Sequence, residues 1–167
     1  VMMVAPSDHL IMNEDEFSNT ILKGMDFAAE QDILITLGIR PTRPDTGYGY
    51  IQMSEDDENG GLNKVKTFTE KPDQEWAEYF LNSGEFLWNS GIFIWHVQTV
   101  IRAFQTHMPE LEENFEAGQS LMGTDREQNF IADTYPTLPK LSIDYGIMEK
   151  AENVYVLPAD FQWSDIG

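Results

Sequence analysis

The sequence has 167 residues, of which 41% are hydrophobic, so it can bury one core of ordinary size and we predict a single domain over 1–167. Its net charge of -19 and its ten Lys and Arg residues exclude the basic surface that DNA or RNA binding needs. It has no cysteine and no apolar run of the roughly 18 residues that span a membrane, which excludes disulfides and thiolate chemistry and favours a soluble, cytoplasmic protein.

The first elements predict a strand, helix, strand unit. The apolar residues 1–5 predict a buried parallel strand, and Asn13 with Glu16 three positions later forms a capping-box-like helix start. The apolar run 33–37 predicts the next buried strand. Since such a unit normally builds a parallel sheet, we predict an α/β fold with a mixed, mainly parallel sheet flanked by helices.

A hairpin and an aromatic strand follow. Residues 48–53 and 62–69 are predicted to pair across an acidic turn at 54–61. A second helix begins near Asp73, and residues 86–95 predict an aromatic strand. Three small or polar residues interrupt that strand and make it a candidate site, namely Asn89, Ser90 and Gly91.

The rest of the chain is mostly helical. Residues 97–133 predict a helical layer, Ser142 can cap a short helix, and residues 154–157 predict a last strand. The first strand has nothing before it and no closing element follows the last residues, so we expect the chain to be a truncated part of a longer protein.

Two aspartates are candidate ligands of a hard cation. Asp8 directly follows the first apolar run and Asp165 comes several residues after the last one. Ligands bind at the carboxyl ends of strands in open parallel sheets, and Mg²⁺ needs only one or two carboxylates plus phosphate oxygens. A phosphate ester would be repelled by this acidic surface and would need such a cation to bind. A turn or capping role remains the alternative for each aspartate.

Further polar residues suit a sugar phosphate. Glu70 and Lys71 stand at a strand end before a proline, where they could bind a hydroxyl and a phosphate or form an exposed salt bridge. The Gly-Tyr-Gly segment around Tyr48 and Gly49 allows a close backbone approach or a simple hairpin entry. Asn89 needs hydrogen-bond partners in its apolar strand, and either a polyhydroxylated ligand or a β-bulge could provide them.

Two other patterns are set aside. The acidic residues from Glu55 to Gly60 imitate the start of a calcium loop, but the twelfth position is Lys66 where a bidentate Glu is required. The spacing of the histidines does not suggest zinc, and a Ser-His-Asp grouping cannot be assigned from the sequence.

The order of the motifs is more specific than any one of them. They are Pro6-Ser7-Asp8-His9, Thr46-Gly47-Tyr48-Gly49-Tyr50-Ile51, Phe68-Thr69-Glu70-Lys71-Pro72, Trp88-Asn89-Ser90-Gly91-Ile92-Phe93, Ser142-Ile143-Asp144-Tyr145 and Trp163-Ser164-Asp165-Ile166-Gly167. Over the whole chain this series closely resembles the mannose-1-phosphate guanylyltransferases, or GDP-mannose pyrophosphorylases, within the sugar nucleotidyltransferases. The resemblance implies a Rossmann-like nucleotide-diphospho-sugar transferase fold.

It also implies a reaction, in which GTP and mannose 1-phosphate give GDP-mannose and pyrophosphate. By resemblance, Asp8 and Asp165 hold Mg²⁺, and Lys71 contacts the sugar phosphate; these three form the expected catalytic set. Glu70 and Asn89 are expected to contact mannose hydroxyls, with Tyr48 and Gly49 lining the sugar. A homo-oligomer is compatible with the resemblance, which does not decide it.

One departure from the family pattern matters most. The glycine-rich loop with its Arg and later Pro-Lys, which holds the nucleotide, has no match in this sequence. We therefore expect the chain to supply the sugar-phosphate side and not to turn over by itself. A non-catalytic sugar-nucleotide-binding or regulatory homologue, a transferase for another hexose 1-phosphate, and an acidic interaction module are the alternatives.

Overall fold

The computed structural model of the chain describes the backbone of residues 1–167 and the side chains of residues 1–54 and 60–167. Residues 1–100 and 152–167 form one compact unit, and residues 101–151 form another. The single domain over 1–167 stays a prediction.

The first unit consists of a sheet, a small ribbon and their helices. In chain order its elements are β1 (Met2–Val4), β2 (His9–Ile11), α1 (Glu14–Glu30), β3 (Leu34–Ile39), β4 (Tyr50–Asn59), β5 (Leu62–Thr69), α2 (Gln74–Ser83), β6 (Phe86–Trp95), the start of α3 (Val97–His107), β7 (Val154–Ala159) and β8 (Trp163–Asp165).

The main sheet has six strands in the order β1-β6-β3-β7-β5-β4, and β4 also pairs with β6. The α/β fold with a mixed sheet is confirmed, but the expectation of mainly parallel pairing is wrong. Only β3 and β7 pair in parallel in the described sheet. The reason is that β6 lies between β1 and β3, antiparallel to both, so the predicted strand, helix, strand unit crosses over an intervening strand.

The first strand is exposed, which corrects the prediction that it is buried. Met2, Met3 and Val4 keep 39%, 36% and 41% of their surface accessible. β1 pairs with β6 along one edge, and the structure describes no strand along the other. A strand with a single neighbour keeps more solvent-accessible surface than a central strand such as β3, which has neighbours on both sides.

Capping residues fix the starts of α1 and α2 where the sequence predicts them. The Asn13 side chain accepts a hydrogen bond from Glu16 N at 3.2 Å, and the Asp73 side chain accepts one from Trp76 N at 3.0 Å. α2 ends at Gly84, whose φ of 73° is in the left-handed region that glycine adopts most easily.

The hairpin of β4 and β5 is confirmed, but its turn is shorter than predicted. The strand backbone continues through Asn59, and Gly60 and Gly61 turn the chain with φ values of 60° and 88°. The calcium-like pattern from Glu55 onward lies largely in residues 55–59, whose side chains are outside the described part of the chain.

The core of the first unit lies between α1 and the sheet. Ile21 and Ala28 of α1 pack in one cluster with sheet residues such as Ile35 and Ile94. Phe161, fully buried in that cluster, follows β7 and anchors the segment that leads to β8. Burial of these side chains therefore positions the residues that come directly after the sheet.

The second unit is helical, as predicted. It contains the rest of α3, α4 (Pro109–Ala117), α5 (Glu127–Thr134) and a π-helical segment, Asp144–Met148. Ser142 Oγ accepts a hydrogen bond from Tyr145 N at 3.4 Å, but the N-cap of the π-helical segment is the next residue, Ile143. Of the helices in the described part of the chain, none combines the length and the apolar character needed to cross a bilayer.

Candidate functional site

A two-stranded ribbon joins the two motifs that carry the candidate metal ligands. β2 and β8 pair antiparallel, with His9 opposite Asp165. Backbone bonds extend the pairing, because Ile166 N donates to Asp8 O at 3.0 Å and Asn13 N donates to Phe161 O at 3.1 Å. Neither strand was predicted from the sequence.

The ribbon places two carboxylates and one imidazole together. One ligand atom from each of Asp8, His9 and Asp165 lies within 4.8 Å of the others. Asp8 is exposed, whereas His9 and Asp165 are half-buried. The carboxylates of Asp8 and Asp165 are close neighbours, and their oxygens suit a hard ion such as Mg²⁺; their role as ligands stays a prediction.

His9 is held by an aromatic partner on the opposite strand. The indole Nε1–H of Trp163 donates to His9 Nδ1 at 3.0 Å. The two rings also meet edge to face, with centroids 5.1 Å apart and planes at 89°. Because an indole nitrogen can only donate, His9 Nδ1 is the acceptor in this bond.

Trp163 also connects the ribbon to the Gly-Tyr-Gly segment. Its ring lies 5.2 Å from that of Tyr48, which lies 5.1 Å from that of Trp88. The guanidinium of Arg43 stands over the Trp88 ring, 5.2 Å from its centroid, and binds Asp45 Oδ2 at 2.8 Å. The aspartate pair and the predicted sugar-binding segment are therefore linked through packed rings.

The hydroxyl of Tyr48 stays protonated at neutral pH. Burial raises the pKa of Tyr48 above its usual 10.0, and the negative charges of Asp165 and Asp45 raise it further. Arg43 acts in the opposite direction and lowers this pKa. Tyr48 can therefore donate a hydrogen bond to an anionic or hydroxylated ligand.

Gly49, Glu70 and Asn89 lie against one another. Gly49 O accepts a hydrogen bond from Asn89 N at 2.8 Å, and a Cβ atom added at Gly49 would collide with the Glu70 carboxylate. The Glu70 side chain is only 10% exposed. The structure thus brings together three residues that the sequence assigned to sugar binding.

The Asn89 amide is oriented by its neighbours on β3 and β6. Thr36 Oγ1 donates to Asn89 Oδ1 at 2.8 Å, and Gly91 N donates to the same oxygen at 3.2 Å. The register of β3 and β6 shifts at this point, between Thr36 and Gly38, and Gly91 has a φ of 69°. The predicted interruption therefore lies at a register shift between β3 and β6, and the two hydrogen bonds fix the amide oxygen in place.

Lys71 follows Glu70 and has an unusual backbone conformation. Its φ is 45°, which is uncommon for a residue with a side chain, and Pro72 follows it. Its ammonium lies 3.8 Å from Glu70 Oε1, while 61% of the side chain is exposed. The ion pair is loose enough to leave the ammonium accessible to a phosphate.

A cavity of about 540 Å³ lies next to these residues. Its lining includes Tyr48, Trp88, Arg43 and Trp163, but not Asp8, Asp165, Glu70, Lys71 or Asn89. It therefore borders the candidate site and is lined by one predicted sugar-binding residue, Tyr48, but by neither candidate metal ligand.

A family model described as Nucleotidyl transferase matches residues 1–167. The chain belongs to this nucleotidyl transferase family. The fold class predicted from the sequence is confirmed, and so is the resemblance to mannose-1-phosphate guanylyltransferases.

Three similar proteins cover this nucleotidyl transferase chain almost completely. Xanthan biosynthesis protein XanB of Xanthomonas campestris pv. campestris (strain B100) is 36% identical over 170 residues, which are 100% of this chain and 35% of XanB. A mannose-1-phosphate guanylyltransferase of Escherichia coli is 33% identical over 173 residues, which are 100% of this chain and 37% of that enzyme. The crystal structure of a "mannose-1-phosphate geranyltransferase" from Thermus thermophilus has a TM-score of 0.84 and 34% identity, covering 98% of this chain and 45% of that one. The chain thus spans about a third of the length of its curated relatives.

Sequence reasoning missed two residues of the candidate site. His9 was set aside with the other histidines because it has no zinc-like spacing, and Trp163 was noted only as part of a motif. The available signal was their position, since each lies within two residues of a candidate ligand in the first or last motif.

Proposed function

We propose that this chain provides the sugar-phosphate and metal-binding side of an enzyme that forms GDP-mannose and pyrophosphate from GTP and mannose 1-phosphate. The observation that carries the proposal is the ribbon of β2 and β8. It sets Asp8 beside Asp165, and Trp163 links the pair to the Gly-Tyr-Gly segment. The chain's place in the nucleotidyl transferase family supports this reading.

The sugar side is formed by Gly49, Glu70 and Asn89. Glu70 offers carboxylate oxygens that accept hydrogen bonds, and Asn89 has an amide whose orientation is fixed. Glycine at position 49 leaves space for the Glu70 and Asn89 side chains, because a Cβ atom there would collide with the Glu70 carboxylate. A carboxylate, an amide and accessible backbone are suited to the hydroxyl groups of a hexose.

The phosphate side needs positive charge, because the chain has a net charge of -19. Lys71 has an accessible ammonium next to Glu70, so a sugar that binds Glu70 has its phosphate within reach of a cation. The carboxylates of Asp8 and Asp165 fit Mg²⁺, which would supply charge neutralisation at the phosphates when bound.

The residues act mainly by positioning. An oxygen of the sugar phosphate attacks the α-phosphorus of GTP, one P–O bond forms, and the bond to the β-phosphate breaks to release pyrophosphate. Such a displacement depends on alignment and on neutralised charge more than on a protein nucleophile. Glu70, Asn89 and Gly49 would fix the sugar ring, and Lys71 would orient the attacking phosphate.

The nucleotide side is not assigned to this chain. Its sequence has no match to the glycine-rich loop that holds the nucleotide, and its relatives are about three times longer. We therefore expect no GDP-mannose from the chain alone. GTP as the nucleotide, the cytoplasmic setting and a homo-oligomeric state remain parts of the proposal.

Binding of mannose 1-phosphate tests the proposal directly. Calorimetric titration of the chain in Mg²⁺ should show binding that disappears with a chelator. Asn89→Ala should weaken it about 5- to 10-fold, the effect of losing one or two hydrogen bonds, whereas the exposed Asn82→Ala should not.

The same titration decides between the readings. If glucose 1-phosphate binds with equal affinity, the proposed substrate becomes hexose 1-phosphates in general and not mannose 1-phosphate alone. Binding that is absent, or indifferent to both Asn89 and Mg²⁺, would refute the proposed site. Formation of GDP-mannose by this chain from GTP and mannose 1-phosphate would refute the expected inactivity.

A further inference from the structure

His9 lies among the candidate metal ligands, but its hydrogen bond to Trp163 decides what it can do there. A neutral imidazole has one nitrogen with a lone pair and one with a proton. Trp163 Nε1–H donates to Nδ1 at 3.0 Å, so Nδ1 uses its lone pair in this bond and the proton of the neutral ring is on Nε2. Neither nitrogen then has a lone pair available for a metal ion.

The edge-to-face packing reinforces this arrangement. The rings of His9 and Trp163 are in contact on paired strands, where His9 faces Asp165 and Ile11 faces Trp163. Trp163 is itself held against Tyr48 and is half-buried. Rotation of His9 to release a lone pair would therefore break a hydrogen bond and disturb packed rings.

We propose that Trp163 is a specificity-determining residue that keeps His9 from binding metal and so makes the site selective for oxygen-binding cations. Imidazole favours Zn²⁺, Ni²⁺ and Cu²⁺, whereas Mg²⁺ and Mn²⁺ are served by carboxylates and water. With His9 occupied, Asp8 and Asp165 are left as the ligands, and the site lacks the nitrogen ligand that would favour Zn²⁺, Ni²⁺ and Cu²⁺. This inference rests on the metal site of the proposed function.

The tautomer of His9 is the first test. The chain has three histidines, so long-range ¹H–¹⁵N spectra in buffer basic enough to keep them neutral can be assigned with His9 variants. We expect His9 to carry its proton on Nε2 in the metal-free chain. In Trp163→Phe, which keeps a ring but lacks the N–H donor, this preference should be lost. Trp76→Phe, at an exposed position on α2, is the matched control.

Metal selectivity is the second test, measured by calorimetry with Zn²⁺ and Mg²⁺ separately. Trp163→Phe should bind Zn²⁺ about tenfold or more tightly than the unchanged chain, which is the usual size of effects transmitted through a ligand's hydrogen-bond partner. Its Mg²⁺ affinity should change less than about threefold. Adding His9→Asn to Trp163→Phe should remove the gain in Zn²⁺ affinity.

One variant keeps the test valid even if Trp163→Phe does not fold. His9→Asn alone places an amide near the former Nδ1 position. Because His9 is proposed not to bind metal, this variant should have the same Zn²⁺ affinity as the unchanged chain. A loss of Zn²⁺ affinity in that variant, or a His9 proton on Nδ1 in the unchanged chain, would overturn the inference.

Failure of the proposed function has a different signature. If Asp8→Asn and Asp165→Asn both leave Mg²⁺ affinity unchanged, the metal site itself is wrong. If they weaken Mg²⁺ binding while a folded Trp163→Phe gains no Zn²⁺ affinity, the metal site stands and only the role of Trp163 fails.

Discussion

Replacing Asp8 by Asn should have opposite effects on stability with and without metal. The ligand atoms of Asp8 and Asp165 lie within 4.8 Å of each other, and two like charges at that distance repel by about 0.9 kcal/mol in a water-like dielectric. The high dielectric is appropriate because Asp8 is exposed. Asp8→Asn removes this repulsion, so without metal it should raise the melting temperature by about 2–4 °C.

Mg²⁺ should reverse the order. A cation bound to both carboxylates stabilises the folded state by about 2.7 kcal/mol when its concentration is 100 times its Kd. The unchanged chain should then melt above Asp8→Asn, which has lost one ligand. Thermal unfolding followed by circular dichroism, once with a chelator and once with Mg²⁺, measures both differences.

Asp26→Asn provides the matched control. Asp26 is an exposed carboxylate on α1, so the variant changes the net charge of -19 by the same amount without touching the pair. In chelator, the melting temperature of Asp26→Asn should be close to that of the unchanged chain. Mg²⁺ should raise it as much as it raises that of the unchanged chain. If Asp8→Asn instead responds to Mg²⁺ like the unchanged chain, the two carboxylates do not share a cation.

Three further results are expected. Gly49→Ala should weaken mannose 1-phosphate binding at least tenfold in calorimetry, because its Cβ displaces the Glu70 carboxylate; unaltered binding would show that the sugar does not use this surface. Tyr48 should ionise above pH 10.0, mainly because of burial, so its contribution to the stability of the folded chain falls as the pH rises past that value. Arg43→Gln should raise the pKa of Tyr48 further, as measured by phenolate absorbance with Tyr48→Phe as the reference. A lower pKa of Tyr48 in Arg43→Gln would contradict this expectation. Phe161→Ala should cost about 3–5 kcal/mol in urea unfolding, because its side chain is fully buried, and a cost below about 1 kcal/mol would mean that it does not anchor the segment before β8.

Local signals in the sequence predicted the elements that depend on neighbouring residues. Asn13 and Asp73 mark helix starts through side chains that bind backbone only three positions ahead. The alternating hairpin and the apolar β3 were predicted for similar reasons. The candidate sugar-binding residues Gly49, Glu70 and Asn89 were proposed from motif order; the structure shows contacts of Gly49 with the other two, and their role stays a prediction.

Long-range pairing was not predictable in this way. β2 and β8 have three residues each, too few to show a strand period, and each becomes a strand only because the other lies beside it. The insertion of β6 between β1 and β3 is likewise a property of the assembled sheet. The bond between His9 and Trp163 depends on the same pairing, which is why neither residue stood out.

Under the proposed function, the ribbon of β2 and β8 also makes cation binding a measure of long-range folding. Its strands come from near the two ends of the chain, so the carboxylate pair joins residues that are almost the whole sequence apart. Closing so long a loop costs conformational entropy that local contacts do not offset, and non-local pairing of this kind forms slowly. A chain still lacking its last strand would have the candidate sugar-binding residues but no second carboxylate. Recovery of Mn²⁺ affinity during refolding would therefore follow the final step of assembly, after the helices and the central strands have formed.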